Sequence, residues 1–169
     1  ISCKGTFYSV SKQTSGDQDY SARILNFAPM TTTPSYSRFS TDFKVRPDDI
    51  DMFQHVHNSK YFDYVLAGRY EQMERYYGMP MEQFMEQGYG WVVKTAYVDY
   101  KRPLNMGEEF TVETGIETMN AKGCRVVFRI TSKKTGKLCC DGWFDYVMID
   151  IRTGRAAKVT PEIIGKYSI

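Results

Sequence analysis

The chain lacks the apolar run of about 18 residues or more that a transmembrane helix requires, and it lacks a strong charge of either sign. Lys and Arg number 22 against 20 Asp and Glu, so the formal net charge is only +2. A surface that holds polyanionic nucleic acid is usually strongly basic. These absences argue against a membrane protein and a nucleic-acid-binding protein, and they favour small molecules as partners.

Cysteine and histidine are scarce as well. The 4 cysteines include the neighbours Cys139 and Cys140, and no Cys-x-x-Cys spacing is present for zinc or redox chemistry. His55 and His57 are the only histidines, and this pair has no third His and no suitably spaced Cys to complete a metal site. The composition therefore predicts a cytoplasmic chain in a reducing setting, without a metal or another bound cofactor.

Serine and threonine dominate the start of the chain, where apolar periodicity is weak. A total of 169 residues, 42% of them hydrophobic, can bury one sizeable core but seldom two. We therefore predict a weakly structured N-terminal extension over residues 1–38 and a single folded domain over residues 39–169.

In the first elements of this domain, the spacing of the apolar side chains changes from two residues to three and four residues. Residues 39–46 alternate apolar and polar side chains, which predicts a strand that Pro47 ends. Over residues 61–77, apolar side chains recur at spacings of three and four, which predicts a helix of roughly five turns. Asn58 or Ser59 is the expected N-cap of this helix.

The remainder of the domain predicts a sheet. Gly78 is expected to stop the long helix, and residues 81–87 predict one further short helical piece. Alternating patterns then predict four strands, over residues 91–101, 109–119, 124–134 and 138–151. Short turns imply antiparallel pairing, so the predicted fold class is α+β, with a curved antiparallel sheet wrapped around one long central helix. Open sheet edges favour a homodimer, or a dimer of dimers.

The residues that carry chemistry crowd the turn between the first strand and the long helix. Residues 45–61 read Val-Arg-x-x-Asp-x-Asp-x-x-x-His-Val-x-Asn-x-x-Tyr, and Gly68-Arg69 follows. This pattern resembles the hotdog-fold acyl thioesterases of the 4-hydroxybenzoyl-CoA thioesterase-like group. The likeness continues in Tyr100-Lys101-Arg102-Pro103-Leu104 ahead of Gly107-Glu108, and in a closing hairpin over residues 150–155. It covers residues 39–167, and it implies a single hotdog domain.

The same segment is also similar to the plant acyl-ACP thioesterases, with two departures. Phe53 stands where those enzymes have a catalytic-site Asn, and His57 stands where both groups commonly have the first Asn of a pair. The plant-type set of residues is therefore incomplete. Asp51 matches the essential carboxylate of the family, and the backbone N–H of Asn58 matches the donor that polarises the thioester carbonyl in relatives.

Physical chemistry supports these roles independently. Thioester cleavage needs a group that promotes attack on the carbonyl carbon and donors for the oxyanion that develops there, and a helix N-terminus offers N–H donors and a favourable dipole. We expect the free N–H groups of Asn58 and Ser59 to face the loop that holds Asp51. Asp51 is then the candidate general base or nucleophile, and His55 a residue that orients the water or the carboxylate.

Each of these residues also has a structural interpretation. Acids that precede a helix commonly just complement its dipole, which is the interpretation we keep for Asp48 and Asp49. His55 could equally satisfy a backbone carbonyl in the loop. Tyr61 lies on the apolar stripe of the helix, where a tyrosine usually belongs to the core.

Further residues are candidates for substrate binding. Within the motif these are His57, Ser59 and Tyr61. If the substrate is an acyl-CoA, its phosphates need basic contacts, which either of two pairs could supply: Lys122 with Arg125, or Lys101 with Arg102. Solvated surface charge is the alternative explanation for both pairs.

The resemblance predicts hydrolysis of acyl-CoA or acyl carrier protein thioesters to a free acid and a thiol. Two other functions stay open. One is a dehydratase or hydratase of the same fold that acts on 3-hydroxyacyl thioesters, and the other is a module that binds acyl groups without turnover. Release of thiol distinguishes the hydrolase from both.

Overall fold

A computed structural model describes residues 36–169, so the predicted extension over residues 1–38 lies almost entirely outside the described residues. The strands are β1 (Arg38–Lys44), β2 (Tyr89–Tyr100), β3 (Glu109–Asn120), β4 (Gly123–Ser132) and β5 (Leu138–Asp150). The helices are α1 (Lys60–Tyr77), α2 (Met81–Glu86) and α3 (Pro161–Tyr167), and a short 3-10 turn spans Pro47–Asp49. Every predicted strand and helix is present, with ends that differ by at most about two residues.

Two helix ends illustrate why the elements form where they do. Gly78 ends α1 in the left-handed conformation, with a φ of 58°. Its N–H donates to the Glu74 carbonyl at 3.2 Å, and the Met79 N–H donates to the Met73 carbonyl at 3.0 Å. Helix α3 was not predicted, although Thr160 caps it by accepting a hydrogen bond from the Ile163 N–H at 3.3 Å. A Thr-Pro pair is a known helix-start pattern, so the sequence did contain the information.

The five strands form one antiparallel sheet in the order β1-β3-β4-β5-β2. The outer strands β1 and β2 are its two edges. The pairing of β2 with β5 is regular on both sides of Lys94, where the register shifts by one residue between Val93 and Thr95. The curved antiparallel sheet with helices is the architecture that the sequence predicts.

Helix α1 packs closely on the half of the sheet that β1 and β3 form. Gly68 makes this approach possible, because a Cβ at that position would lie 3.2 Å from Val112 and 3.3 Å from Phe43. One turn further along α1, Gln72 is fully buried. Its Nε2 donates to the Thr41 hydroxyl at 3.2 Å, and its Oε1 accepts from the Thr114 hydroxyl. This polar contact fixes the helix to the sheet.

The opposite half of the sheet, formed by β5 and β2, is less covered. Four large apolar residues that face this region are about two-fifths exposed: Leu66 (41%), Tyr70 (41%), Val92 (39%) and Val93 (42%). Leu66 and Tyr70 belong to the predicted apolar stripe of α1, so only part of that stripe is buried within the described chain. None of the helices in residues 36–169 has the length and hydropathy of a transmembrane segment.

Candidate active site

The turn that carries the motif is a small hairpin. Ile50 and Val56 pair as an antiparallel bridge, and inside it the Asp51 N–H donates to the His55 carbonyl at 2.8 Å. The Gln54 N–H donates to the Asp51 carbonyl at 3.1 Å, and Gln54 adopts a φ of 65° to close the turn. These bonds hold the backbone of Asp51 in place directly before α1.

The Asp51 carboxylate is only partly engaged by this turn. Its Oδ1 accepts hydrogen bonds from the N–H groups of Phe53 at 2.8 Å and His55 at 3.2 Å. No hydrogen bond from residues 36–169 reaches Oδ2. One oxygen therefore stabilises the loop while the other is available for chemistry. The structural interpretation of Asp51 therefore holds at Oδ1, and its catalytic role stays a prediction.

Asp49 has a different environment, although it lies only two residues away. It is buried, and it accepts hydrogen bonds from the Arg46 guanidinium at 2.9 and 3.2 Å and from the Tyr64 hydroxyl. The Arg46 bonds hold the pKa of Asp49 below its usual range, and the Tyr64 bond acts in the same direction, whereas burial opposes both. The Asp49 carbonyl also accepts the His57 N–H at 2.9 Å. Asp49 therefore braces the start of the helix, as the sequence analysis proposes.

The helix start offers one free donor rather than the expected two. Ser59 is the N-cap, but its N–H donates to Nδ1 of His57 at 3.3 Å, and its hydroxyl lies 2.9 Å from the same nitrogen. The expectation that the Ser59 N–H is free is therefore wrong. No hydrogen bond to an acceptor in residues 36–169 engages the Asn58 N–H, while the Asn58 carbonyl accepts the Tyr100 hydroxyl at 2.9 Å.

A cavity of about 300 Å³ brings several predicted residues together at this end of α1. Its wall includes Asp51, His55, Asn58, Tyr61, Lys101 and Arg102. All three residues that the sequence proposes as catalytic therefore line one space. Of the two basic pairs considered, this cavity contains Lys101 with Arg102.

Tyr61 contributes to this wall from a buried position. Its hydroxyl accepts the Leu104 N–H at 3.1 Å, and its ring meets the Tyr100 ring edge-on with centroids 5.3 Å apart. Burial raises the pKa of Tyr61 to about 12. A neutral tyrosine in this place fixes the strand end that carries Lys101 and Arg102. Tyr100 also lines this cavity. The sequence analysis gave it no role, although it directly precedes the basic pair.

The other proposed binding residues do not line this cavity. His57 and Ser59 are exposed and bond to each other. Arg125 binds both oxygens of Asp145, at 2.7 and 2.9 Å, and its guanidinium lies 3.9 Å from the centre of the Trp143 ring. Lys122 lies in the turn between β3 and β4. Within one described chain, the structure does not bring Lys122 and Arg125 to Asp51.

A second and larger cavity, of about 440 Å³, lies further along α1. Helix α1 supplies Leu66, Arg69 and Met73, and strand β2 supplies Trp91 and Val93. Strands β4 and β5 add Cys124, Val126 and Tyr146 to its wall. Strand β2 runs back along α1 in the opposite direction. Tyr100, at its end, therefore lies at the Asp51 cavity, and Trp91, near its start, lies at the second cavity. The first cavity therefore lies at the start of α1 and the second one further along it, and β2 contributes to the wall of both.

Metal ligation was also considered. Residues 36–169 contain no group of three or more His, Cys, Asp and Glu side chains arranged to hold a metal ion. Cys124, Cys139 and Cys140 carry free thiols in this part of the chain. The groups in the Asp51 cavity are suited to acid–base or nucleophilic chemistry on a carbonyl compound.

Known proteins share this arrangement of strands and helices. DHNA-CoA thioesterase from Staphylococcus aureus matches with a TM-score of 0.73 at 19% identity, over 78% of this chain and 89% of that one. The hypothetical protein SAV2348 from Staphylococcus aureus, in complex with CoA, matches with a TM-score of 0.69 at 18% identity, over 78% of this chain and 82% of that one. These likenesses show that the fold is the hotdog fold of thioesterases.

Sequence comparison identifies the family. Long-chain acyl-CoA thioesterase FadM from Escherichia coli (strain K12) is 24% identical over 123 residues, which are 73% of this chain and 92% of FadM. The profile of one family matches residues 45–166, and this span begins with the Asp51 motif and includes the residues of the first cavity and all but Tyr167 of the second. The chain therefore belongs to the thioesterase-like superfamily.

Proposed function

We propose that the protein hydrolyses acyl-CoA thioesters. Water adds across the C–S bond, so that its hydroxyl group joins the acyl carbon and its proton goes to the sulfur, which leaves as the free thiol. Membership of the thioesterase-like superfamily supports the reaction class. The observation that carries the assignment to a site is that Asp51 and the helix-start residue Asn58 line one cavity.

Asp51 is the proposed general base or nucleophile. As a base, it takes a proton from the attacking water, and as a nucleophile, it forms a mixed anhydride that water then cleaves. The free Oδ2 supports either route, since Oδ1 is held by two backbone N–H groups. His55 lines the same cavity and is positioned to orient the water.

The Asn58 N–H is the proposed oxyanion donor. A free backbone donor at the start of an 18-residue helix places a hydrogen bond and the positive end of the helix dipole beside the developing negative charge. Tyr100 supports this role because its hydroxyl holds the Asn58 carbonyl and thereby orients the peptide groups on both sides of that residue.

Lys101 and Arg102 are the proposed contacts for the CoA phosphates. Both line the Asp51 cavity and both are exposed, so they stand where the polar part of a thioester substrate would leave the protein. Arg102 keeps its orientation through a hydrogen bond from Nη1 to the Leu138 carbonyl at 2.9 Å. Acyl carrier protein thioesters remain a second substrate class to be compared in the same assay.

The crevice between α1 and β2 is the proposed acyl channel. Phe62 and Leu66 lie four residues apart on α1, and Asn58 lies four residues before Phe62, just ahead of the helix. Phe62 and Leu66 therefore lead from the helix start toward the second cavity. Within this arrangement we propose that the sheet wraps around α1 as the central helix. The apolar second cavity would then receive the end of the acyl chain.

A homodimer is the proposed assembly. Strand β2 is a 12-residue edge strand with exposed apolar side chains, among them Val92, Val93 and Tyr97. Pairing with β2 of a second copy would satisfy this edge and cover the open half of the sheet. Light scattering after size separation tests this proposal, and the mass of one chain at all concentrations would refute it.

Thiol release from a panel of acyl-CoAs tests the proposed activity. Asp51→Asn is the most informative variant, because the amide oxygen of Asn can still accept the Phe53 and His55 N–H groups and preserve the turn. We expect kcat to fall by a factor on the order of 10² to 10⁴ with an unchanged unfolding transition. Asp48→Asn is the matched control, since Asp48 is exposed and its one ion pair within residues 36–169 is with Arg46, at 4.0 Å.

The outcomes separate the alternatives. An Asp51→Asn variant with wild-type activity contradicts the role of Asp51. Conversion of a 3-hydroxyacyl thioester without thiol release indicates a dehydratase instead, and binding without any product indicates a non-catalytic acyl-binding module.

A further inference from the structure

Arg69 is a buried cation in an apolar setting. It is only 6% exposed, yet no carboxylate in residues 36–169 lies within ion-pair distance of its guanidinium. Its one hydrogen bond in this part of the chain is a long one, from Nη1 to the Tyr77 hydroxyl at 3.5 Å. Burying a charge without a counter-charge is costly, and the rings of Tyr77 and Tyr167, 5.0 and 5.7 Å from the guanidinium carbon, offset that cost in part.

Arg69 lines the second cavity, whose wall is otherwise mostly apolar. Trp91 lines the same cavity, but its indole Nε1 is fully buried, so it is not available to a molecule bound there. Buried donors normally have acceptors, and a buried guanidinium in the wall of a cavity indicates that its acceptor arrives with a ligand.

Among residues 36–169, no acidic group near Arg69 is free to fill that role. Burial raises the pKa of Cys124 to about 12 and also raises the pKa values of Tyr146 and Tyr167, so all three stay neutral near pH 7. The positive charge of Arg69 opposes the shift in each case. Asp145, the nearby carboxylate on β5, has both oxygens engaged by Arg125.

We propose that the second cavity selects acyl groups that carry a carboxylate at the end remote from the thioester, bound by the Arg69 guanidinium. This proposal rests on the proposed thioester hydrolysis and names its substrate class. A carboxylate accepts hydrogen bonds without donating any, which matches the donors of a guanidinium, and it supplies the missing counter-charge. The apolar wall on the way to Arg69 suits the methylene chain between the two ends.

The helix sets the length of that chain. Asn58 and Arg69 are eleven residues apart, which corresponds to about 16 Å along a helix axis. An extended hydrocarbon chain advances about 1.3 Å per carbon, given single bonds of about 1.5 Å. The Arg69 side chain leans back toward the helix start, so acyl chains of about ten carbons fit best.

The test compares two ten-carbon substrates on the full chain. Thiol release is measured with the mono-CoA thioester of decanedioic acid and with decanoyl-CoA. We expect kcat/KM to be at least about tenfold higher for the carboxylate-bearing substrate. Succinyl-CoA and butanoyl-CoA are too short to reach Arg69, and we expect no preference between them.

Variants assign the preference to its residues. Arg69→Met is expected to abolish the tenfold ratio, and Arg69→Lys to keep part of it because the charge remains. Arg75→Met is the matched control, because Arg75 is an exposed arginine of the same helix that pairs with Glu71 at 3.7 Å. Should Arg69→Met fail to fold, the wild-type ratio and Arg69→Lys decide the question.

Different results overturn the carboxylate preference and the proposed hydrolase activity. Hydrolysis of both ten-carbon thioesters at equal rates overturns the carboxylate preference and leaves the proposed hydrolase activity standing. A preference that persists in Arg69→Met also overturns it, and so does a preference for succinyl-CoA over butanoyl-CoA. Absence of thiol release from every substrate overturns both.

Discussion

The two halves of the sheet receive α1 very differently. Over β1 and β3 the helix approaches closely at Gly68, and Gln72 joins two threonines in a fully buried polar contact. Over β5 and β2 the same helix leaves two cavities. The first half provides rigid attachment, and the second provides space. The proposed reaction needs both, because a helix N-terminus would stabilise a transition state only if its position is fixed.

The largest effect on stability is expected from filling the close contact. Gly68→Leu would force side-chain atoms into Val112 and Phe43, and we expect a loss of about 2 to 3 kcal/mol in the free energy of unfolding. Ala67→Leu is the matched control, because Ala67 is the exposed neighbour on the same helix. Denaturant titration measures both. Equal stability of the two variants would contradict the contrast between the halves.

The buried polar contact should give a somewhat smaller effect. Gln72→Leu leaves the hydroxyls of Thr41 and Thr114 without their partner, and we expect a loss of about 1 to 3 kcal/mol. The double replacement of Thr41 and Thr114 by Val in the Gln72→Leu background should restore part of it. No recovery in the triple variant would mean that packing, rather than hydrogen bonding, holds this site.

Asp49 allows a test through pH. Its folded pKa lies below the unfolded value, so its contribution to stability is fully present above about pH 4 and disappears as the pH falls through the folded pKa. We expect Asp49→Asn to be less stable than wild type at pH 7, and the difference to shrink below about pH 4. Thermal unfolding across this range measures it. A constant difference would show that ionisation of Asp49 contributes nothing.

The smallest effect on stability is expected over β5 and β2, the less covered half of the sheet. Leu66→Ser removes a residue that is already 41% exposed, and we expect a change within about 0.5 kcal/mol in a single chain. The same variant should lower kcat/KM for ten-carbon acyl-CoAs more than for butanoyl-CoA. A larger loss of stability that diminishes on dilution would place Leu66 under a second copy of the chain.

The same contrast explains how far the sequence could predict the structure. Residues over β1 and β3 obey local periodicity, so the strands, the helix and its stop at Gly78 were predicted to within about two residues. The stripe of α1 was predicted to be buried throughout, but Leu66 and Tyr70 face the crevice. Sequence periodicity reports which side chains are apolar, and it does not distinguish a core from a cavity wall.

The sequence likewise predicted one part of the candidate site and missed another. Asp51, His55 and Asn58 were found together because they are close in sequence. The use of the Ser59 N–H by His57 was missed, since it depends on a side-chain rotamer. Lys101 with Arg102 could not be preferred over Lys122 with Arg125 from sequence, because only the folded sheet brings Tyr100 and its neighbours to the helix start.

The one-residue bulge at Lys94 changes which side chains of β2 look toward α1. Before it the odd-numbered Trp91 and Val93 face inward, paired with Met148 and Tyr146, and after it the even-numbered Ala96 and Val98 do. Without the bulge, side chains of one parity would face α1 along the whole strand, so either the odd-numbered or the even-numbered residues named here would face away from it. Deleting Lys94 would therefore rotate either the carboxyl-terminal or the amino-terminal segment of β2 by half a turn, and the two cavities would lose their common wall.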